Sequence, residues 1–222
     1  MASSNFNNRA TINPNDNVAV RSNYVIPEKY VVSATHEMHF FKNAQAATRL
    51  SAVFRAQTGH PYSWVFFGDA NNDGTSGNDS FYMPSGPSDP KVTWSTSPSD
   101  PTGSIQATNF WNFVNGADLK HYLGQIVPAN RSNNPVQKTI DLHLEQDIPL
   151  DFHNTRLKLF VDCLNFANIF KKSWGANTGM DFGNGYSGYS RPIASATVNS
   201  SGQYVYTFSS STLGSQLVFT DL

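Results

Sequence analysis

The chain has 222 residues, a net charge of −1 and a single cysteine, with 14% charged and 13% aromatic residues. The near-zero charge argues against a nucleic-acid surface, and Cys163 alone leaves no intrachain disulfide. Mean hydropathy is −0.40, so Asn, Ser, Thr and Gly fill the place of charge; no run approaches the ~18 apolar residues of a transmembrane helix.

A neutral-polar, aromatic-rich composition suits a transmembrane β-barrel with long external loops, and a secreted β adhesin as well. Residues 1–26 are Asn-rich and unpatterned and read as loop. Their start has no apolar h-region and is not a signal peptide. If the chain is a barrel, its export signal is expected upstream.

The first patterned run is Tyr30–Phe40. Tyr30, Val32, Ala34, His36, Met38 and Phe40 alternate with Val31, Ser33, Thr35, Glu37 and His39. Strict alternation predicts a strand. After a short turn at Lys42–Ala47, Thr48–Gln57 repeats the pattern, with Leu50, Ala52, Phe54 and Ala56 against Arg49, Ser51, Arg55 and Gln57. These runs of roughly 9–12 residues exceed the usual mode of about 5–6 and match the ~9–11 of a tilted outer-membrane strand. The second run is expected to continue into Tyr62–Phe67 with a kink or bulge at Pro61, which breaks the ladder; Tyr62, Trp64 and Phe66 share one face, as a membrane-interface girdle requires.

Gly68–Pro135 is too long for a structureless loop and should carry elements of its own. Short extended pieces are predicted at Ser80–Met83 and Lys91–Trp94. A helix is predicted over Asn109–Leu123, with Thr108 as N-cap and Gly124 as stop. Strand Val136–Ile148 follows, with Val136, Ile140, Leu142 and Leu144 against Asp141, His143, Glu145 and Asp147. A turn at Pro149–Thr155 leads to strand Arg156–Cys163, in which Cys163 is a small apolar filler. A second long loop and weaker strands at Ile193–Val198, Gln203–Phe208 and Gln216–Thr220 complete the chain. Short turns at 42–47 and 149–155 alternate with long segments at 68–135 and about 165–191, the alternation of periplasmic turns and extracellular loops.

The residues of these segments resemble a known family. Thr58-Gly-His-Pro-Tyr-Ser-Trp64, Gly68-Asp-Ala-Asn-Asn-Asp-Gly74 and Asn78-Asp-Ser-Phe-Tyr-Met-Pro84 come first. Leu123-Gly-Gln-Ile-Val-Pro-Ala-Asn-Arg131, Gln146-Asp-Ile-Pro149, Leu159-Phe-Val-Asp-Cys-Leu-Asn165 and Ser173-Trp-Gly175 follow in order. Together they resemble the C-terminal barrel of TonB-dependent receptors of the Oar-like, OmpA-related group, over roughly residues 25–208. The resemblance implies an all-β fold: part of an antiparallel transmembrane β-barrel, about 7–8 strands of a larger one of about 22, with long extracellular loops, one holding a short helix. Residues 27–222 would be that barrel portion, and 68–135 its long extracellular loop. It implies a non-enzymatic role in ligand binding and uptake, in the outer membrane of a Gram-negative bacterium. The implied partners are outer-membrane lipid, the rest of the barrel and its plug, an unidentified ligand, and the TonB complex through an N-terminal part this chain lacks. No cofactor other than calcium is expected.

The calcium expectation rests on Asp69-Ala-Asn71-Asn-Asp73-Gly74, which fits the start of a calcium loop, with Thr75 and Asp79 as further ligands. The closing Glu is absent, and an Asx-turn cluster accounts for the same residues. Tyr82, Trp94 and Trp111 are candidate ligand contacts; packing as the loop's own small core is the alternative. His36-Glu37-Met38-His39 is not a zinc motif, because a strand puts His36 and His39 on opposite faces. Two rival readings stay open: a self-contained surface or adhesin barrel of about eight strands, and a soluble secreted β-sandwich.

Overall fold

The structure is a computed structural model that describes residues 9–13, 15, 18–40, 46–117, 119–150, 155–172, 174–180, 189–210 and 216–220. The fold is mainly β, with one α-helix among the described residues. It divides into two units. One holds Ile26–Gly59, Pro135–Thr178 and Val218–Leu222; the other holds Met1–Val25, His60–Asn134 and Gly179–Leu217.

The first unit contains a four-stranded sheet of β1 (Lys29–Met38), β2 (Thr48–Gln57), β8 (Gln137–Pro149) and β9 (Arg156–Cys163), in the order β1-β2-β8-β9. All its pairings are antiparallel. The four predicted runs form these strands, displaced by one or two residues at some ends. The turn at 42–47 is described only at Ala46 and Ala47, and that at 149–155 lacks 151–154. Among the described residues the sheets do not close into a barrel, and β1 and β9 stand at this sheet's edges.

The second unit is built on a five-stranded sheet. Its strands are β3 (Pro61–Phe67), β5 (Val92–Trp94), β7 (Ser132–Asn133), β11 (Ser190–Val198) and β12 (Tyr204–Thr207), in the order β5-β12-β11-β3-β7. This sheet is mixed, which corrects the expectation of antiparallel strands throughout: β11 runs parallel to β3, and β12 parallel to β5. Parallel neighbours need long crossovers, and more than a hundred residues separate each pair in sequence. Pro192, which has no N–H for the ladder, sits where the β11–β3 register shifts. Short strands β4 (Tyr82–Met83) and β6 (Gln125–Ile126) form a separate pair, as do β10 (Ala176–Met180) and β13 (Gln216–Thr220).

Two further sequence expectations need correction here. After Gly59 the chain leaves the first sheet altogether instead of kinking within it. Tyr62, Trp64 and Phe66 are consequently buried in the second unit's core and form no exposed girdle. The helix α1 spans Ser104–Gly116, not 109–123, and its N-cap is Gly103 at φ 70°. The capping oxygens come from Asp100, whose carboxylate accepts the Ile105 N–H at 3.3 Å and the Gln106 N–H at 3.0 Å. Thr108 lies inside the helix, its hydroxyl donating to the Ser104 carbonyl at 2.9 Å. Phe110 and Val114, one turn apart, are the helix's buried positions.

Around them gather Trp64, Phe66, Phe81, Met83, Leu119, Ile193, Tyr206 and Phe208. The rings meet at angles, with Phe66 and Phe81 centroids 4.6 Å apart and Phe110 edge-on to Phe208 at 5.6 Å. Each such fully buried side chain stabilises by roughly 1.5–3 kcal/mol. The segment 68–135 therefore has a core, to which β3, β11 and β12 contribute.

Candidate functional site

The register of the four-stranded sheet sorts its residues by chemistry. Glu37 faces Arg49, and Arg49 faces Glu145; Asp147 faces Lys158 and His143 faces Asp162 across β8 and β9. All these residues, with Asp141, lie on one face because side chains alternate along each strand. Val32, Ile140, Leu142 and Leu159 lie on the other, as the alternation predicts. The separation is incomplete: Val31, Val53 and Phe160 sit on the charged face, and Lys138 and Gln146 on the apolar one.

The charged face is a connected ladder centred on Arg49. Its Nε donates to Glu37 at 2.8 Å, and one terminal nitrogen donates to Glu145 at 2.6 Å and Asp147 at 2.8 Å. The Lys158 ammonium adds a bond to Glu145 at 2.8 Å. His143 Nδ1 lies 2.5 Å from Asp162, while His39 pairs with Glu37 at 3.1 Å. His36 is on the opposite face of β1 from Glu37. Asp141 stands outside the ladder and accepts the Asn165 N–H at 2.8 Å.

The opposite face is uncovered over much of its area. Val32 is 60% exposed, Leu159 53% and Val161 65%, with Tyr30, Leu50, Leu144 and Leu157 also exposed. Exposed apolar side chains scattered singly need no explanation, but a continuous stripe across neighbouring strands marks a surface that meets something other than water.

The Asp69–Asp79 loop is closed by its own hydrogen bonds. Asp69 accepts the N–H groups of Asp73 at 3.1 Å and Gly74 at 2.9 Å. The Asn71 side-chain oxygen also accepts the Asp73 N–H, at 2.9 Å, and Asp73 accepts the Thr75 N–H at 2.8 Å. Asp79, buried, accepts the Ala70 N–H at 2.6 Å. Burial pushes the Asp79 carboxyl above its ordinary range, and the charges of Asp73 and Asp69 push the same way. This is the Asx-turn arrangement of these residues. Among the described residues, no three acidic, His or Cys groups converge as a metal cage.

Tyr82, Trp94 and Trp111, the candidate ligand contacts, pack in or against the aromatic core. Trp94 lies 5.2 Å from Phe110, and Trp111 is edge-on to Phe110 at 5.4 Å. The Tyr82 hydroxyl donates to Asp89 at 3.0 Å. Burial, reinforced by that carboxylate, pushes the Tyr82 phenol up to about 12.

Asp89 was not singled out by the sequence reading. It is 6% exposed and also accepts the N–H groups of Ser85 at 2.6 Å and Lys91 at 2.8 Å. Burial raises its pKa, but these donors outweigh burial and leave it below the ordinary carboxylate value. The signal available was Ser85-Gly-Pro-Ser-Asp-Pro90, a turn in which an Asp oxygen has nearby N–H groups to accept.

Comparison with protein-family models, with curated proteins and with solved structures finds no match for this chain.

Proposed function

We propose that the chain is part of the wall of a TonB-dependent outer-membrane receptor of the Oar-like group, acting in ligand binding and uptake rather than in catalysis. One observation carries the reading: four antiparallel strands of 8–13 residues present an uncovered apolar face and an opposite face laced with ion pairs. A strand needs about 9–11 residues to cross an outer membrane at a tilt. Lipid takes the apolar face, because it removes those side chains from water; the lumen takes the charges, because water and counter-charges solvate them. The edges β1 and β9 would pair with neighbouring strands of the full barrel, since unpaired backbone is not tolerated in hydrocarbon. Residues 68–135 would be the extracellular loop body, and the plug and TonB contact would belong to other parts of the receptor.

The experiment is site-directed labelling in lipid bilayers on a Cys163→Ser background, with single cysteines at Leu144, Leu159, Glu37 and Lys158. Lipid-phase quenchers should reach probes at 144 and 159, and aqueous quenchers those at 37 and 158. A chain that is monodisperse and cooperatively folded in buffer without detergent would overturn the proposal. The aromatic core of the second unit favours the rival reading, a self-contained binding module, and that is the reading such a result would leave.

A further inference from the structure

The second unit contains a cavity of about 620 Å³ with an unusual charge balance. Arg131 and Arg191 both line it, together with Asn112, Asn133, Trp64 and Phe113. Among the described residues no carboxylate lines it, and neither arginine has an acidic partner.

Arg191 is held in place without being neutralised. It stands beside Trp64 in the β11–β3 register, and its guanidinium carbon lies 4.7 Å from the Trp64 ring centroid and 5.8 Å from that of Phe113. Trp64 is fixed in turn: its indole N–H donates to the Ser132 hydroxyl at 2.8 Å, and its ring meets Phe113 edge-on at 5.9 Å. Stacking orients a guanidinium plane but satisfies none of its in-plane donors. The Arg191 Nε is buried and has no hydrogen-bond partner. A guanidinium stacked on rings with a buried, unpaired Nε and no acidic partner is an uncompensated charge, and an anion entering the cavity that this arginine lines supplies the missing counter-charge.

We propose that this cavity binds an oxyanion carried on a hydroxylated body, the chemistry of a uronic acid or similar acidic sugar. The planar fork of Arg191 takes the carboxylate in two parallel hydrogen bonds, and Arg131 supplies the second positive charge. The Asn112 and Asn133 amides, each both donor and acceptor, suit neighbouring hydroxyls. The volume lies within the ~300–1,000 Å³ usual for small-molecule sites, larger than a bare ion needs. The site lies within one unit, so the proposal stands whether or not the four-stranded sheet crosses a membrane.

The test is isothermal titration of the folded full chain in detergent micelles with three probes: sodium glucuronate, glucose and inorganic phosphate. Glucuronate should bind at least about tenfold more tightly than glucose, the size of one charge-assisted contact, and also more tightly than phosphate. Arg191→Lys keeps the charge but loses the fork, and should weaken glucuronate several-fold. Arg131→Gln lies on an exposed residue, leaves the core intact, and should also weaken it. Arg191→Gln should abolish most binding, with near-ultraviolet dichroism confirming the fold; if that variant misfolds, the other two decide. No glucuronate binding, equal binding of glucose, phosphate binding as tight as glucuronate, or unchanged affinity in both Arg131→Gln and Arg191→Lys would each overturn the proposal.

Discussion

Asp89→Ala removes a buried acceptor that serves three donors at once. The Tyr82 hydroxyl, the Ser85 N–H and the Lys91 N–H all end on this one carboxylate, within 2.6–3.0 Å. Ser85 is exposed and Lys91 lies at the surface, so water can replace the acid at both N–H groups. The Tyr82 side chain is 7% exposed, and water has little access to it. Hydrogen bonds to charged groups contribute roughly 1.5–3 kcal/mol each, and the bond that water cannot replace carries most of the loss. Asp89→Ala should therefore destabilise the chain by about 2–4 kcal/mol, and Tyr82→Phe by about 1 kcal/mol. Their double mutant should fall short of additivity by about 1 kcal/mol, because both remove the same bond.

The assay is urea unfolding in detergent micelles, followed by near-ultraviolet dichroism of the aromatic core. The pH dependence is a second check. The folded carboxyl titrates below the unfolded one, so its stabilisation is present above the unfolded pKa of about 4 and is lost as pH falls through the lower folded value. The wild type should lose this increment only below about pH 4, and Asp89→Ala should show a shallower acid loss. A cost under about 0.5 kcal/mol for Asp89→Ala, or additivity with Tyr82→Phe, would refute the reasoning.

Three further outcomes are expected. In an ultraviolet pH titration the Tyr82 phenol should stay protonated to about 12, and the fully buried Tyr206 phenol, also raised by burial, should resist ionisation with it; because an unfolded phenol ionises near 10, stability should fall as pH rises through that window, and ionisation of every phenol complete near pH 10 would contradict it. Gly103→Ala places a methyl 2.4 Å from the Trp94 Cβ at φ 70°, whereas Gly74→Ala at φ 87° meets open space; thermal unfolding should show a loss of about 1–2 kcal/mol for the second and clearly more for the first. In lipid, Leu142→Arg should cost about 2–4 kcal/mol if it lies near the midplane, and Asp141→Asn much less, since an amide oxygen still accepts the Asn165 N–H; equal costs in a refolding titration would count against the assignment of faces.

Much of the first unit was legible in the chain itself. Strand alternation is a local property, so the bounds of β1, β2, β8 and β9 and the partition of Glu37, Asp141, Glu145 and Lys158 from Val32, Ile140, Leu142 and Leu159 follow from neighbours in sequence. The Asx-turn chemistry of Asp69–Asp79 is local too, and it was legible as one of two readings. Other features depend on partners far along the chain. Nothing near Tyr62 says that β3 will lie parallel to β11, and that pairing turns an apparent girdle into a buried wall. The start of α1 moved because Asp100, four residues before the first helical residue, supplies acceptors that Thr108 was expected to provide. Arg191 carries no motif at all. It becomes a candidate anion site only where Trp64 and Phe113, remote in sequence, orient its guanidinium and no described carboxylate reaches it. Period and turn chemistry are set by covalent neighbours, whereas burial and charge balance depend on whatever the fold places beside a residue, and only the tertiary structure decides that.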